Sequence, residues 1–371
     1  MRIALLTYST KPRGGVVHTL SLAEALARAG ADVTVWTLAR GGDTGFFRPV
    51  DPGVDVRAVP YPEVGGETVG ERVARSIELL GTAFRAHVAA GAGFDVVHAQ
   101  DCITANAVPG RVRTIHHLDH FTTPQLAACH ERAIVEPVAH VCVSAFVAGQ
   151  VRDGWGIEPV VIPNGVDAAR FAAAHAIGDG AKARAQLGRY VLAVGGIEPR
   201  KGTLELVRAM AVVQAAEPDV RLLVAGGETL FDYRDYRLEV DALVEILGVR
   251  LDMLGVVPDG LLPGLVAGAE AFAFPSTAEG FGLAAMEALA ARRRVVVRDL
   301  PVLREVFGRC VSYADDEASL AARLLDAVRG SGPDPDLGAA LAASHSWDDA
   351  AARHLDLYEA LIGAGRHIGV G

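Results

Sequence analysis

The sequence predicts an α/β protein built from two doubly wound domains. Short, almost wholly apolar runs alternate with segments of helical periodicity along nearly the whole chain. Runs of that kind are typical of strands in a parallel sheet that helices cover on both faces. A chain of 371 residues is also longer than one hydrophobic core usually supports, which favours two domains.

The first strand-and-helix series occupies residues 1–163, which we assign to an N-terminal domain. The apolar run RIALLT is followed by a glycine loop and then by apolar residues at helical spacing from Val16 to Ala27. Gly30 ends that helix as a C-cap would. The further strand-like runs are DVTVWTL, VDVRAV, DVVHAQ, VRTIHH and VAHVCVS, with a long helical pattern from about Glu67 to Ala90.

The periodicity stops around residues 158–171, which read EPVVIPNGVDAARF. Pro163, Asn164 and Gly165 are typical turn residues, and the AAAHAIGDGAKA that follows is small and irregular. We interpret this region as the link to a second domain, residues 164–346.

The second domain repeats the alternation of strands and helices. Its strands are predicted at YVLAVGG, VRLLVAGG, LDMLGVV, AFAFPS and RVVVRD, and its helices from about Thr203, Tyr236 and Gly282. After Ser346, a plausible N-cap, residues 347–364 show helical spacing. That last helix either covers its own domain or packs back onto the first one.

Composition excludes several classes of protein. A net charge of −10 argues against nucleic acid or an anionic membrane surface as the main partner, although a small anionic ligand stays possible. The chain has no apolar stretch of about 18 residues, so we expect no integral membrane segment, and its N-terminal run is too short for a signal peptide. Four scattered cysteines without a C-x-x-C pair favour a cytoplasmic protein.

The segment FPSTAEGFGLAAMEALA, residues 274–290, has the strongest pattern for ligand binding. It predicts a strand, a glycine loop and a helix start, where free backbone N–H groups bind anions. Glu279 and Glu287 would flank those amides, which suits a ligand with a central phosphate and hydroxyls at both ends. The alternative is a glycine turn with a surface Glu279 and with Glu287 paired to an arginine.

Histidines cluster in RTIHHLDHF, residues 113–121. His117, Asp119 and His120 match the end of the H-x-H-x-D-H motif of binuclear zinc hydrolases, but Ile115 stands where its first histidine should be. A zinc site is therefore one hypothesis for this loop. We expect His98 and His140 to be hydrogen bonded in the core, and His18 to be exposed on the first helix.

The segment EGFGLAAME, with Glu279 and Glu287 eight residues apart, resembles the E-x7-E signature of family-four retaining glycosyltransferases of the GT-B fold. The resemblance covers nearly the whole chain. In chain order, the other similar segments are GGVVHTLSLAEALARAGADVTVWT, RTIHH, VIPNGVDAARF, VGGIEPRKG, VAGG, LGVVPDGLLPGLVAGAEAFAFPS and SWDDAAARHLDLYEAL.

The resemblance implies two Rossmann-like domains facing across a cleft, the first on the acceptor side and the second binding a nucleotide sugar. It implies a retaining hexosyltransferase that uses a nucleoside-diphosphate sugar as donor substrate, with no metal and no other cofactor. Glu287 would hold the ribose hydroxyls and Glu279 the hydroxyls of the sugar. Lys201, with Arg200 beside it, would stabilise the leaving diphosphate.

Further roles follow from the same resemblance. His116 would contact the sugar in the transition state, and His117, Asp119 and His120 would line the acceptor side. The remaining donor-binding candidates are Gly14 and Gly15 in the first domain, and Gly196, Val257, Leu261, Gly280, Phe281, Gly282 and Leu283 in the second. Variable loops within residues 40–66 and 118–130 are expected to carry acceptor specificity.

Two positions depart from the family pattern. Gly196 stands where the family commonly has an arginine, and Arg200 is the candidate replacement. Arg298 lies in ARRRVVVRD, where the family has a Gly/Pro turn, and it either reaches the donor or pairs with Asp299.

Other functions remain in competition with glycosyl transfer. The first is a non-catalytic nucleotide-sugar-binding protein, which Gly196 keeps open, and the second is a nucleotide-sugar epimerase of the same fold. A phosphorylase would be far longer, and a dehydrogenase is disfavoured because the first loop, TYSTKPRGG, lacks G-x-G-x-x-G. The sequence identifies neither the nucleotide nor the acceptor.

Overall fold

The structure is a computed structural model that describes residues 1–42, 44–108, 111–118, 123–227 and 233–370. The chain divides into two compact units. Unit 1 comprises residues 1–165 and 347–371, and unit 2 comprises residues 166–346. The boundaries predicted from the sequence lie at 163/164 and at 346.

Unit 1 contains a parallel sheet whose strand order is β3-β2-β1-β4-β5-β6-β7 among the described residues. Its strands are Arg2–Leu6 (β1), Asp32–Arg40 (β2), Val54–Tyr61 (β3), Val96–Ala99 (β4), Val112–Ile115 (β5), Ala139–Cys142 (β6) and Val160–Val161 (β7). Its first five helices are Gly14–Arg28 (α1), Val69–Ala89 (α2), Cys102–Ala107 (α3), Pro124–Val135 (α4) and Ala145–Trp155 (α5). The order reverses between β1 and β4, as in doubly wound folds.

Unit 2 repeats this design with a parallel sheet of order β10-β9-β8-β11-β12-β13 in its described part. The strands are Arg189–Val194 (β8), Val220–Ala225 (β9), Leu251–Gly255 (β10), Ala271–Phe274 (β11), Arg294–Arg298 (β12) and Ser312–Ala314 (β13). The helices are Ala168–Ala176 (α6), Asp179–Leu187 (α7), Thr203–Ala216 (α8), Arg234–Leu247 (α9), Leu262–Gly268 (α10), Leu283–Ala290 (α11), Pro301–Phe307 (α12), Glu317–Val328 (α13) and Pro335–Ala343 (α14). The predicted α/β fold class is thus confirmed for both units.

The predicted irregular link is wrong in one respect, because residues 172–183 contribute to the two helices α6 and α7. Asp167 caps α6 by accepting a hydrogen bond from the Arg170 N–H. A Cβ at Gly180 would lie 2.6 Å from the Ala267 carbonyl, so α7 packs closely on α10. Alanine has the highest helix propensity, but small side chains leave no apolar stripe in the sequence.

The C-terminal segment forms the predicted helix, Trp347–Gly363 (α15), and belongs to unit 1. Tyr358 on this helix is fully buried, and its hydroxyl lies 2.6 Å from Nδ1 of His98 in β4. His98 and His140 are both buried and hydrogen bonded, as predicted. None of the helices in the described part of the chain combines the length and apolar character needed to span a membrane.

Candidate functional site

Two loops meet at the carboxyl edge of the unit 2 sheet, where β8 and β11 lie side by side. Residues 195–202 follow β8 and residues 275–282 follow β11. The Thr277 N–H donates to the Arg200 carbonyl over 2.8 Å, and Nη1 of Arg200 donates to the Ala278 carbonyl over 3.0 Å. Hydrogen bonds in both directions therefore hold the two loops together.

The charged side chains of these loops converge on one carboxylate. Oε1 of Glu279 accepts hydrogen bonds from Nζ of Lys201 at 2.6 Å and from Nη1 of Arg200 at 3.0 Å. Nη2 of Arg200 also donates to Oε1 of Glu198 at 2.8 Å. The side chain of Glu279 is only 11% exposed, so the alternative of a surface glutamate is wrong. Arg200 and Lys201 do point the same way, although neighbours in sequence need not.

A glycine makes this convergence possible. Gly202 has φ +65°, and a Cβ there would lie 2.4 Å from the carbonyl oxygen of Pro275. Residue 202 must therefore be glycine, because the chain passes here from the turn that contains Lys201 into α8 while it lies directly against the loop after β11. On the other side, the stem of Lys201 packs on Gly195, where a Cβ would lie 3.4 Å from Cε.

The first turn of α11 begins immediately after Gly282, which has φ +95° and no side-chain cap. A Cβ on Gly282 would lie 3.0 Å from Cζ of Phe307, so the backbone is closely enclosed there. Gly280, Phe281 and Gly282 are buried, whereas Leu283 is half-buried. N–H groups at the start of an uncapped helix are available to an anion; their use by a diphosphate stays a prediction.

Glu287 lies in the second turn of α11 and is half-buried. Burial raises the pKa of Glu287 to about 8, with Asp259 and Asp167 adding to the rise and Arg170 opposing it. Arg170 is engaged elsewhere, since its Nη2 lies 2.8 Å from Oδ2 of Asp259. The Glu287 carboxyl group forms no hydrogen bond with any described residue. The alternative in which Glu287 pairs with an arginine is therefore wrong.

The other unit 2 candidates fall into two groups. Gly196 lines a small pocket at the ends of β8 and β11 together with Lys201 and Ser276. Leu261 is 65% exposed, and the half-buried Val257 follows Val256, which is 54% exposed, so apolar surface is available next to β10.

Arg298 does not pair with Asp299. Its Nη1 donates to the Asp315 carbonyl at 3.2 Å, and its Nη2 lies 3.9 Å from Oε1 of Glu205. Asp299 is instead paired with Arg304. The alternative that paired Arg298 with Asp299 was therefore wrong.

In unit 1, His116 is the first residue after β5, as predicted for a strand ending in a histidine. Its ring faces the start of α1, because a Cβ on Gly15 would lie 3.7 Å from Cδ2 and Nε2 of His116. A Cβ on Gly14 would meet nothing within 4 Å. Burial holds the pKa of His116 well below its ordinary value, so the ring is neutral at physiological pH. Nε2 is buried and bonded to no described residue.

The prediction that His18 is exposed was wrong, and the residue is almost fully buried. Its Nδ1 lies 2.9 Å from Oδ1 of Asn164, and its ring meets Trp347 edge to face at 5.2 Å. The His18 ring also meets the ring of His116, with their centroids 4.7 Å apart. The available sequence signal was its spacing of three from Gly15, which places both on one helix face.

The zinc hypothesis rests largely on residues outside the described part of the chain. Asp119 and His120 lie there, whereas His117 is described and half-buried. Within the described residues, no three or more His, Cys, Asp or Glu side chains are grouped so as to hold a metal ion.

Comparison with known proteins identifies related sequences for both units. The family described as Glycosyltransferase Family 4 matches residues 12–170, and the family described as Glycosyl transferases group 1 matches residues 181–329. A phosphatidyl-myo-inositol mannosyltransferase of Mycolicibacterium smegmatis is 30% identical over 402 residues, covering 98% of this chain and 95% of that protein. A D-inositol 3-phosphate glycosyltransferase of Salinispora tropica is 30% identical over 386 residues, covering 88% and 79%.

Solved structures share the fold at lower identity. Sucrose-phosphate synthase from Thermosynechococcus elongatus has a TM-score of 0.79 at 20% identity, covering 98% of this chain and 99% of its own. Anabaena HepE in complex with UDP-glucose has a TM-score of 0.72 at 20% identity, covering 97% and 100%. These neighbours are GT-B proteins, which confirms the predicted fold. Since the mannosyltransferase matches over nearly the full length of both chains, and the two family matches lie in the two units, the chain belongs to the group 1 glycosyltransferases with a family-four N-terminal region.

Proposed function

We propose that this glycosyltransferase moves a hexose from a nucleoside-diphosphate sugar to an inositol-bearing acceptor, with retention of anomeric configuration and without a metal ion. The observation that supports it best is the convergence of Lys201 and Arg200 on Glu279 beside the start of α11. The leaving diphosphate gains negative charge in the transition state, and preorganised cations and amides stabilise such charge. A lysine and an arginine supply the positive charge for which other enzymes use a metal.

In this proposal Glu279 positions groups and does not attack. Its Oε1 is held by two cations, which lowers the nucleophilicity of a carboxylate. It fixes Lys201 and Arg200 where the diphosphate arrives, and it accepts hydrogen bonds from the hydroxyls of the donor sugar. The amides of Gly280 to Leu283 complete the contacts to the phosphates.

Glu287 is assigned to the nucleotide. Its carboxyl group has no hydrogen-bond partner among the described residues and lies in the second turn of α11. A ribose offers two adjacent hydroxyls, which match the two oxygens of the Glu287 carboxyl group. The exposed apolar side chains of Val256 and Leu261 supply a surface for the base.

Unit 1 is assigned to the sugar and the acceptor. His116 is a neutral imidazole at the end of β5, next to the start of α1. A neutral imidazole accepts or donates a hydrogen bond to a sugar hydroxyl, so we assign it positioning and charge stabilisation. Inositol is the first acceptor to test because the named relatives act on phosphatidyl-myo-inositol or D-inositol 3-phosphate.

The test begins with thermal-shift measurements of the full chain against UDP, GDP, ADP and their sugars. Ligand binding to the native state stabilises it by mass action, by about 2.7 kcal/mol at a ligand concentration of 100 Kd, and therefore raises the melting temperature. We expect one nucleotide to be preferred. The preferred sugar nucleotide is then incubated with inositol phosphate in the presence and absence of EDTA, and the anomeric configuration of the product is read by NMR.

Release of nucleoside diphosphate that needs the acceptor, persists in EDTA and yields the donor's anomer supports the proposal. An inverted product or a rate abolished by EDTA contradicts the retaining or the metal-independent part. Nucleotide binding without turnover on any inositol acceptor contradicts the proposed inositol-bearing acceptor and favours a non-catalytic nucleotide-sugar-binding protein.

A further inference from the structure

A cluster of arginines and tyrosines lies at the carboxyl ends of β1, β2 and β3 in unit 1. We name it the Arg–Tyr cluster, and it comprises Tyr8, Arg13, Arg40, Tyr61 and Arg75. Tyr8 lies just beyond β1, Arg40 ends β2 and Tyr61 ends β3. In parallel sheets this edge carries the ligand-binding loops.

Cations and aromatic faces alternate through the cluster. Cζ of Arg13 lies 5.4 Å from the Tyr8 ring centroid, and its Nη1 donates to the Tyr8 hydroxyl. Cζ of Arg40 lies 5.6 Å from Tyr8 and 4.5 Å from Tyr61. Cζ of Arg75 lies 4.0 Å from the Tyr61 ring centroid. Each guanidinium is thereby held over a ring in a fixed orientation.

The charges of the cluster are unequally compensated. Arg75 forms a two-point ion pair with Glu67, both contacts being 2.6 Å. Arg13 and Arg40 form no ion pair with any described residue. Nη2 of Arg40 donates to Oγ of Ser76 at 2.5 Å, and its Nε is buried and bonded to no described residue. Arg75 therefore has a structural explanation that Arg13 and Arg40 lack.

None of the described carboxylates forms an ion pair with these two arginines, although the charge of Asp101 acts on Arg40. Asp101 is committed to backbone N–H groups, among them that of Tyr8 at 2.9 Å, and burial raises its pKa. Glu63 is exposed, with Oε1 4.0 Å from where a Cβ on Gly41 would lie. Burial lowers the pKa of Arg40, and the positive charge of Arg13 acts in the same direction, whereas Tyr61, Tyr8 and Asp101 oppose the shift.

Two like charges in a partly desolvated site repel each other, and a bound anion would remove that cost. Guanidinium groups bind phosphate oxygens through paired, charge-assisted hydrogen bonds. We infer that Arg13 and Arg40 bind a phosphate group of the acceptor, so that the Arg–Tyr cluster selects phosphate-bearing acceptors over neutral polyols. The assignment of this phosphate to the acceptor rests on the proposed function, whereas the phosphate-binding site itself is inferred from the Arg–Tyr cluster alone.

The phosphate belongs either to a free inositol phosphate or to the headgroup of an inositol lipid. Both present the same chemistry, and the experiment separates them. Binding of the full chain is measured by calorimetry to myo-inositol 3-phosphate and to myo-inositol, and by co-sedimentation to phosphatidylcholine vesicles with and without phosphatidylinositol. The variants are Arg13→Gln, Arg40→Gln and Arg40→Lys.

Arg57→Gln is the matched control, because Arg57 also lies over an aromatic ring, that of Trp36, but pairs with Asp55 on the exposed surface. We expect wild-type protein to bind myo-inositol 3-phosphate more tightly than myo-inositol, or vesicles with phosphatidylinositol more tightly than vesicles without it. This preference should weaken as the salt concentration increases. Arg13→Gln and Arg40→Gln should each lose about tenfold in affinity, a change typical of one charge-assisted contact. Arg40→Lys keeps the positive charge but loses the planar guanidinium group, so its affinity should lie between those of wild type and Arg40→Gln. Arg57→Gln should have the affinity of wild type.

Equal affinity within both pairs of probes, that is for inositol and its phosphate and for vesicles with and without phosphatidylinositol, overturns the inference, as does wild-type affinity in both glutamine variants. Nucleoside-diphosphate binding is measured on the same samples. Variants that lose the phosphate probe but keep nucleotide binding support the inference and exclude misfolding. Variants that lose both overturn it. Wild-type protein that binds no nucleotide contradicts the proposed function alone, because the phosphate result is read separately.

Discussion

The imidazole rings of His18 and His116 meet edge to face, with their centroids 4.7 Å apart and their planes at 78°. Asn164 and Trp347 hold His18 from other sides. The proposed sugar-contacting histidine is thus supported by α1, by the turn after β7 and by α15. Burial lowers the pKa of His18 to about 3, so the His18 ring that packs against His116 is uncharged at physiological pH.

This support predicts a selective effect of His18→Ala on turnover. Without the ring, His116 loses its lateral contact, and small displacements of a positioned group are costly in rate. We expect kcat for transfer to fall about tenfold or more, with the donor KM little changed. His18→Phe, which restores the aromatic contact without the bond to Asn164, should recover most of kcat.

His140→Ala is the matched control for loss of a buried histidine. Nε2 of His140 donates to the Ile134 carbonyl over 2.6 Å, and no ring contact joins His140 to His116. We expect it to lower stability comparably while leaving kcat close to wild type. Equal losses of kcat in the two alanine variants would reduce His18 to a purely structural role.

The raised pKa of Glu287 predicts a pH-dependent stability difference. Burial raises this pKa to about 8, so between pH 4.5 and 8 the folded chain holds a proton that the unfolded chain has lost. Stability then falls as pH rises through that window. Glu287→Gln carries no titrating group, so we expect it to match wild type near pH 5 and to exceed it by roughly 1–3 kcal/mol at pH 8.

Denaturant unfolding at the two pH values measures this difference. Glu239→Gln, a change at an exposed glutamate of α9, supplies the control and should show the same offset from wild type at both. A Glu287→Gln offset that does not change with pH would mean that the carboxyl group is ionised in the folded chain.

The strands and the position of the donor-site candidates could be predicted from the sequence because they depend on local patterns. Apolar runs mark strands buried on both faces, and Glu279 and Glu287 are fixed by one loop and one helix. The spacing of His18 from Gly15 indicates its helix face, but its burial could not be predicted from that spacing alone, since Asn164 and Trp347, which contact it, come from distant parts of the chain. The convergence of Arg200 and Lys201 likewise depends on the positive φ of Gly202 and on the bond from Arg200 to Ala278.

The two glutamates predict different kinetic defects. Glu287→Ala removes contacts proposed for the ribose, which are present before and during reaction, so we expect the donor KM to rise about tenfold with kcat little changed. Glu279→Ala releases Lys201 and Arg200 from a shared carboxylate and removes a sugar contact, so we expect kcat to fall by about 10²-fold. Steady-state kinetics with the nucleotide sugar chosen by thermal shift measures both. Wild-type kinetics in both variants would contradict the donor site.

Gly282 predicts a coupling between backbone geometry and donor binding. Gly282→Ala places a Cβ at φ +95° and 3.0 Å from Phe307, so both backbone strain and overlap arise at the start of α11. We expect a loss of about 2–3 kcal/mol in stability and a large loss of nucleotide affinity, because the first-turn amides must shift. Gly330→Ala is the matched control, with φ +80° but no atom within 4 Å of the added Cβ. It should cost about 1 kcal/mol and leave nucleotide binding intact. Calorimetric titration of both variants decides the matter, since a Gly282→Ala protein that folds and binds nucleotide normally would show that the diphosphate does not approach this turn.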